Sequence, residues 1–209
     1  MVSPRAKPLL IFPRNGNGIE ALDCLNDAYM CVGFIDDTPE KQGAVFGYSV
    51  WGREALKEQP DAQLLAVPGS AQSYLSREQI IRGLGIDNRR YATVIHPTAR
   101  ISSQAVIGYN VLIMAGVVIT SNAVIGNHVC ILPNTVIHHD VLIGAWTLLG
   151  SNVTIAGNTI IGENCYVGSG SSIMNGLQVG NRTLIGLGSN LIRSIAAGSK
   201  VAGNPAREI

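Results

Sequence analysis

Four histidines, His96, His128, His138 and His139, are the groups in this chain best suited to moving a proton near neutral pH, and Asp140 directly follows the last of them. An imidazole with a pKa close to the working pH serves as a general base. A neighbouring carboxylate can hold its other ring nitrogen and fix the tautomer. That pair, with backbone N–H groups to stabilise an oxyanion, suits attack of an amine or hydroxyl on an acyl carbonyl. His138, one position earlier, is the rival base. His96 and His128 have no local acid and are expected to be structural or surface groups. The four cysteines, Cys24, Cys31, Cys130 and Cys165, have neither metal nor disulfide spacing. None is well placed as a nucleophile, so direct attack is expected rather than a covalent acyl-enzyme.

What positions the histidine pair is a repeat. From Ile95 to Leu191, every sixth residue is Ile, Leu or Val without a slip: Ile95, Ile101, Ile107 and so on through Ile137, Ile155, Ile173 and Leu191. A period of six fits neither a helix nor a hairpin, but it fits a solenoid whose coil is a triangular prism of three sixes. A second inward row follows four residues later, including Val111, Ala123, Val129, Thr135, Val141, Val153 and Cys165. Glycines such as Gly108, Gly126, Gly144 and Gly162 come next in the repeat and are expected to bend the chain at the corners.

The register also assigns the outward positions. The first face stacks Val106, Val124, Leu142, Ile160 and Gln178; the second stacks Leu112, Cys130, Leu148, Tyr166 and Leu184; the third stacks Val118, Val136, Thr154, Ser172 and Asn190. Two apolar outer ladders predict a homotrimer that buries both, with Leu148 in the seam. His139 falls in the corner between the third and first faces. One coil earlier that corner holds Ser121, and one coil later Gly157, which leaves a slot beside the imidazole.

The first ninety residues follow a different pattern. Apolar runs at Pro8–Phe12, Cys31–Ile35 and Gln63–Val67 read as strands, with helices expected from Ile19 to Tyr29 and from Ala71 to Leu84. The first run ends in Pro13-Arg14-Asn15-Gly16-Asn17-Gly18, the second in Asp36-Asp37. Strand, glycine loop, helix, strand and acidic pair predict an α/β, Rossmann-like βαβ domain over residues 1–92, followed by the parallel β-helix over 93–209. Ligand-binding loops then lie at the strand C-termini, with Asn15, Gly16, Asn17, Gly18, Asp36 and Asp37 as candidate substrate contacts.

A formal net charge of +1 with 14% charged residues argues against a nucleic-acid partner. Met1 to Lys7 contains no apolar leader segment, and no run of about 18 apolar residues suggests a membrane span. A cytoplasmic protein is expected.

The order of parts is distinctive: a βαβ domain, His96-Pro97-Thr98-Ala99, unbroken hexads carrying His139-Asp140, then Val201-Ala-Gly-Asn-Pro-Ala-Arg207. It resembles the bacterial hexapeptide-repeat sugar acetyltransferases of bacillosamine, perosamine and sialic acid pathways. The resemblance implies a left-handed coil, acetyl-CoA as co-substrate, no metal, and a nucleotide-linked sugar bound by the first domain. It also implies His139 as base beside Asp140, Gly157 against the acetyl carbonyl, and N- or O-acetylation as the outcome. In that family the first loop usually reads Gly-x-Ser-Gly-His-Gly; here Pro13 replaces the first glycine and Asn17 the histidine, while Arg14 offers a pyrophosphate contact. Two other functions compete. A zinc-dependent prism of the γ-carbonic anhydrase kind needs a histidine two coils before His139, where Ser103 stands. A non-catalytic scaffold would not need the His139-Asp140 pair or Gly157.

Overall fold

The computed structural model describes residues 6–209. Residues 1–5, part of the stretch read for a leader, lie outside the described residues.

The first part is a small sheet with short helices. Strands β1 (Lys7–Phe12), β2 (Tyr29–Ile35), β3 (Gly43–Val45), β4 (Tyr48–Trp51) and β5 (Gln63–Ala66) are ordered β3-β4-β2-β1-β5. All neighbours are parallel except the β3–β4 hairpin. That hairpin was not anticipated. It turns on Phe46 and Gly47, whose φ of 49° and 82° give the twist that suits a two-residue turn. The helices are shorter than expected. The first is one turn of α-helix, α1 (Gly16–Glu20), and a 3₁₀ turn at Ala21–Cys24, because Leu25 already turns extended. The segment from Ala71 becomes a 3₁₀ turn at Tyr74–Ser76 and a short helix at Arg77–Arg82.

From Val94 onward the chain is a prism. Two-residue strands at Val94–Ile95, Arg100–Ile101, Val106–Ile107 and every sixth position thereafter build three parallel sheets, one per face. Each strand pairs with the one eighteen residues on, as Val118 with Val136 and Leu142 with Ile160. The predicted aliphatic row and its companion row form one core, with Ile113, Ile131, Ile137, Ile155 and Val153 fully buried. The coil closes at a shortened last turn, where Ile185 pairs with Val201 and the Lys200–Ala202 strand folds back on Arg207–Glu208.

Two expectations need correction. The glycines after each core aliphatic do not carry the bend. Gly126 is needed because a Cβ there would lie 2.7 Å from the Ala145 nitrogen of the next coil. The left-handed φ falls two residues later, on Asn110, Asn122, His128, Asn134, Asp140, Trp146 and their successors. Asparagine and aspartate tolerate that conformation better than most side chains.

The second correction concerns the outer ladders. The first face is exposed as predicted, with Val106 60% and Leu142 42% accessible. The second face is not free for another subunit. Leu112, Cys130 and Leu148 are buried within the chain against Leu9, Ile11, Phe34, Val50 and Leu65. One side of the first sheet is covered by Ala55, Leu56 and Ile81 of the later helices, and the other by this ladder together with Ala21 and Cys24.

Arg77 locks the junction. Fully buried, it donates to the carbonyls of Trp146 (2.9 Å), His128 (2.7 Å) and Pro68. Burial without a carboxylate partner pulls its pKa down to about 10. His128 is sandwiched there, its ring parallel to Trp146 at 5.7 Å and edge-on to Tyr91 and Tyr109. Burial, with Arg77 nearby, pushes its pKa down to about 4 and keeps it neutral. His128 is therefore a packing group.

Leu148→Asp accordingly breaks the chain's own junction rather than a subunit seam. An uncompensated buried charge costs about 3–5 kcal/mol, and at about 2–4 °C per kcal/mol the melting temperature should fall by roughly 10 °C. Calorimetry should show this loss even in a preparation shown by light scattering to be unassociated.

Candidate active site

His139 and Asp140 lie in the turn after the Val136–Ile137 strand, at the corner between the third and first faces. Asp140 has φ 57°, so its carboxylate leaves the corner in a direction a right-handed backbone would not allow. Because a carboxylate only accepts, His139 Nδ1–H donates to Asp140 Oδ2, at 2.7 Å. Nε2 is thereby left with its lone pair free. Asp140 Oδ1 also accepts from the Asn122 side-chain amide one coil below, at 3.1 Å. These two donors, His139 first, hold the Asp140 carboxyl below its usual range. Both members of the pair are about half exposed, so a substrate can reach them.

The coil above supplies the hollow. A Cβ on Gly157 would sit 2.6 Å from both Cε1 and Nε2 of His139, so only glycine leaves the free nitrogen uncovered. Asn158 N–H donates to the His139 carbonyl at 3.0 Å, which ties this coil to the one beneath. The Gly157 N–H itself donates to no protein acceptor among the described residues. His139, Asp140 and Gly157 are therefore brought together. His138 is exposed and its ring makes no hydrogen bond among the described residues. His96 is turned into a local bond with Thr98, and among the described residues no three His, Cys, Asp or Glu side chains are placed to hold a metal ion.

The other predicted residues gather elsewhere. A cleft of about 220 Å³ at the C-terminal ends of β1, β2 and β5 is lined by Phe12, Pro13, Asp36, Asp37, Lys41 and Pro68. Asp36 is buried and its carboxylate accepts from the backbone N–H groups of Arg14 and Thr38, both at 3.0 Å, with Lys41 at 3.6 Å. Asp37 is exposed and paired with Arg53 at 2.6 Å. An exposed pair is worth only about 0–1 kcal/mol, so Asp37 is readily released to a ligand. Asn15 caps α1 through Gly18 N–H at 2.8 Å and donates to the Val67 carbonyl. Gly18 is held against the Pro13 carbonyl with no space for a Cβ, whereas Gly16 faces open space. Asn15 and Gly18 thus shape the loop, and Asn15, Gly16, Asn17 and Gly18 do not line the cleft. Sequence reasoning missed Asn122 and Lys41; the eighteen-residue spacing below Asp140 was the signal for the first.

Residues 122–157 match the model for the bacterial transferase hexapeptide (six repeats). No curated protein matches the chain. Among solved structures, the chain is similar to the acetyltransferase domain of PglB from Neisseria gonorrhoeae in complex with acetyl coenzyme A. The identity is 25%, the TM-score 0.85, and the match covers 98% of this chain and 100% of that one. PerB from Caulobacter crescentus, in complex with CoA and GDP-perosamine, matches at 25% identity and TM-score 0.83 over 98% and 97% of the two chains. WeeI from Acinetobacter baumannii shares the fold at 23% identity and TM-score 0.81, over 98% and 100%. A Rossmann-like sheet followed by a left-handed hexapeptide β-helix defines an acyltransferase by class. Within that class the chain is most readily compared with sugar acetyltransferases such as PerB, to which it is similar over nearly its whole length.

Gly157→Ala tests the hollow. The exposed His139 ring can swing away from a new methyl, so stability should hardly change. The swing breaks the bond to Asp140, and turnover should fall at least tenfold, short of the about 10²–10⁴ that a positioned base contributes. Melting temperature and turnover of the same sample separate the two effects.

Proposed function

We propose that this protein transfers the acetyl group of acetyl-CoA to the amine of a nucleotide-linked amino sugar, in the making of a bacterial surface glycan. The observation that carries the reading is the His139–Asp140 bond beneath the hollow at Gly157. The structurally similar PglB domain was crystallised with acetyl coenzyme A, and PerB with CoA and GDP-perosamine.

In this reading Asp140 keeps the proton on Nδ1 and Nε2 takes the proton of the attacking amine. Nitrogen bonds to the thioester carbonyl carbon, and the Gly157 N–H stabilises the oxyanion. The C–S bond then breaks, and the proton passes from Nε2 to the departing CoA sulfur. An acyl-enzyme is disfavoured, because burial raises the thiol pKa of Cys24 to about 12 and of Cys31 and Cys130 to about 11.

The first unit, residues 1–92, binds the nucleotide sugar in the cleft at Asp36 and Asp37, and the prism, 93–209, carries the transfer. The first sheet covers the second face, whereas His139 stands at the corner opposite that face. An acceptor held by the sheet therefore reaches the His139 of another copy more directly than its own. The exposed apolar ladder from Val106 to Ile160 supplies the surface for a homotrimer. A cytoplasmic enzyme fits a substrate of this kind, and no described helix is long and apolar enough to cross a membrane.

His139→Ala should lower kcat by about 10²–10⁴, His138→Ala should stay within a few-fold, and Asp140→Asn should fall between them. The assay is CoA release, followed with a thiol reagent, on a panel of amino-sugar nucleotides. The loss should be smaller for amines, whose free base already attacks, than for hydroxyl acceptors. An inactive His138→Ala beside an active His139→Ala would overturn the assignment.

Asp37→Ala should raise the KM for the acceptor and leave that for acetyl-CoA nearly unchanged, as steady-state kinetics with each substrate varied will show. Asp37 is the better test than Asp36, whose loss also frees the Arg14 and Thr38 N–H groups.

A further inference from the structure

Asp140 is held from two sides, and one side comes from a different coil. The Asn122 amide donates to Oδ1 at 3.1 Å, while His139 donates to Oδ2 at 2.7 Å. Asn122 and Asp140 occupy the same position on successive coils, both in the left-handed region, with φ of 59° and 57°. Their backbones are tied at this corner by the bond from Asp140 N–H to the Ser121 carbonyl, 3.0 Å. The side-chain bond therefore has little freedom to slip. A half-exposed carboxylate without that second donor would rotate about χ2, present either oxygen to water and lose its hold on the imidazole.

We propose that Asn122 is a positioning residue: its amide pins Asp140 so that His139 keeps its proton on Nδ1 and offers Nε2 to the substrate. The inference rests on the reading of His139 as the base, and it assigns the orientation of that base to a residue one coil away. Asn122 touches neither acceptor nor thioester in this scheme, because it lies below the pair while the hollow at Gly157 lies above. The charged or titratable groups at the corner are Asp140, His139 and the neighbouring His138, and the amide of Asn122 adds a donor without adding charge.

The clean variant is Asn122→Gly, since glycine keeps the left-handed backbone without strain and removes only the amide. Asn122→Asp keeps the shape but replaces the donor with a second carboxylate facing Asp140. Long-range ¹H–¹⁵N spectra of histidine-labelled protein read the His139 tautomer directly, assigned by its loss in His139→Ala. The parent should show the proton on Nδ1; Asn122→Gly should show a mixture of tautomers. Its kcat should fall about five- to thirtyfold, a fraction of the about 10²–10⁴ lost with the base itself, with KM for acetyl-CoA and the melting temperature unchanged. In Asn122→Asp the added negative charge stabilises the imidazolium, so the acid limb of the kcat/KM profile should move to higher pH. An unchanged tautomer, pH profile and kcat in Asn122→Gly would overturn the proposal and leave Asn122 as a corner filler. Should His139→Ala prove fully active, it is the general-base reading that fails, and the tautomer spectra still report whether Asn122 orients the ring.

Discussion

Every feature of this protein depends on one hydrogen-bond ladder, in which each coil donates to the coil eighteen residues on. Val136 N–H reaches the Val153 carbonyl at 2.8 Å, His138 N–H reaches Ile155, and the pattern repeats along the prism. Parallel strands of two residues could not persist alone. They persist because all but the end strands are paired on both sides and each buries an aliphatic side chain inward. The ladder fixes coil separation so closely that a Cβ at Gly126 or Gly144 would strike backbone. It also stacks equal positions, so a short polar side chain finds its counterpart one coil away.

The candidate site is a local use of that stacking. Asn122, Asp140 and Asn158 stand in one column, and His139 stands in the next beneath Gly157. A bond between neighbours in sequence, His139 and Asp140, would be weakly determined in a loop. Here the coil below supplies a donor and the coil above supplies the space. The His139–Asp140 pair is built on a rigid element but remains half exposed, a combination that suits the role proposed for it.

Attachment of the first sheet follows a different principle. The prism could have kept two apolar faces for other copies, yet one is spent within the chain. Arg77, with three carbonyl acceptors and no carboxylate, joins the units without adding a counter-charge. Around it the corner residues are the large His128 and Trp146 instead of the asparagines usual at this position, because at this corner they face protein. The same repeat position thus holds packing rings at one corner and the Asp140 carboxylate, bonded to His139, at another.

The coil, its phase and the inward rows were legible in the residues, since a period of six admits one architecture and burial follows directly from register. The neighbourhood of His139, Asp140 and Gly157 was legible for the same reason: spacing by eighteen is contact in such a solenoid. Glycine's role at the corners was misread, because sequence shows where glycine stands but cannot separate freedom of φ from lack of room. Outer apolar residues such as Leu148 announce that something covers them without naming it, and hydrophobic burial is not directional. Whether sheet or subunit covers that face, how Asp36 turns inward while Asp37 turns out, and that Asn122 pins Asp140 depend on side-chain directions that tertiary packing alone decides.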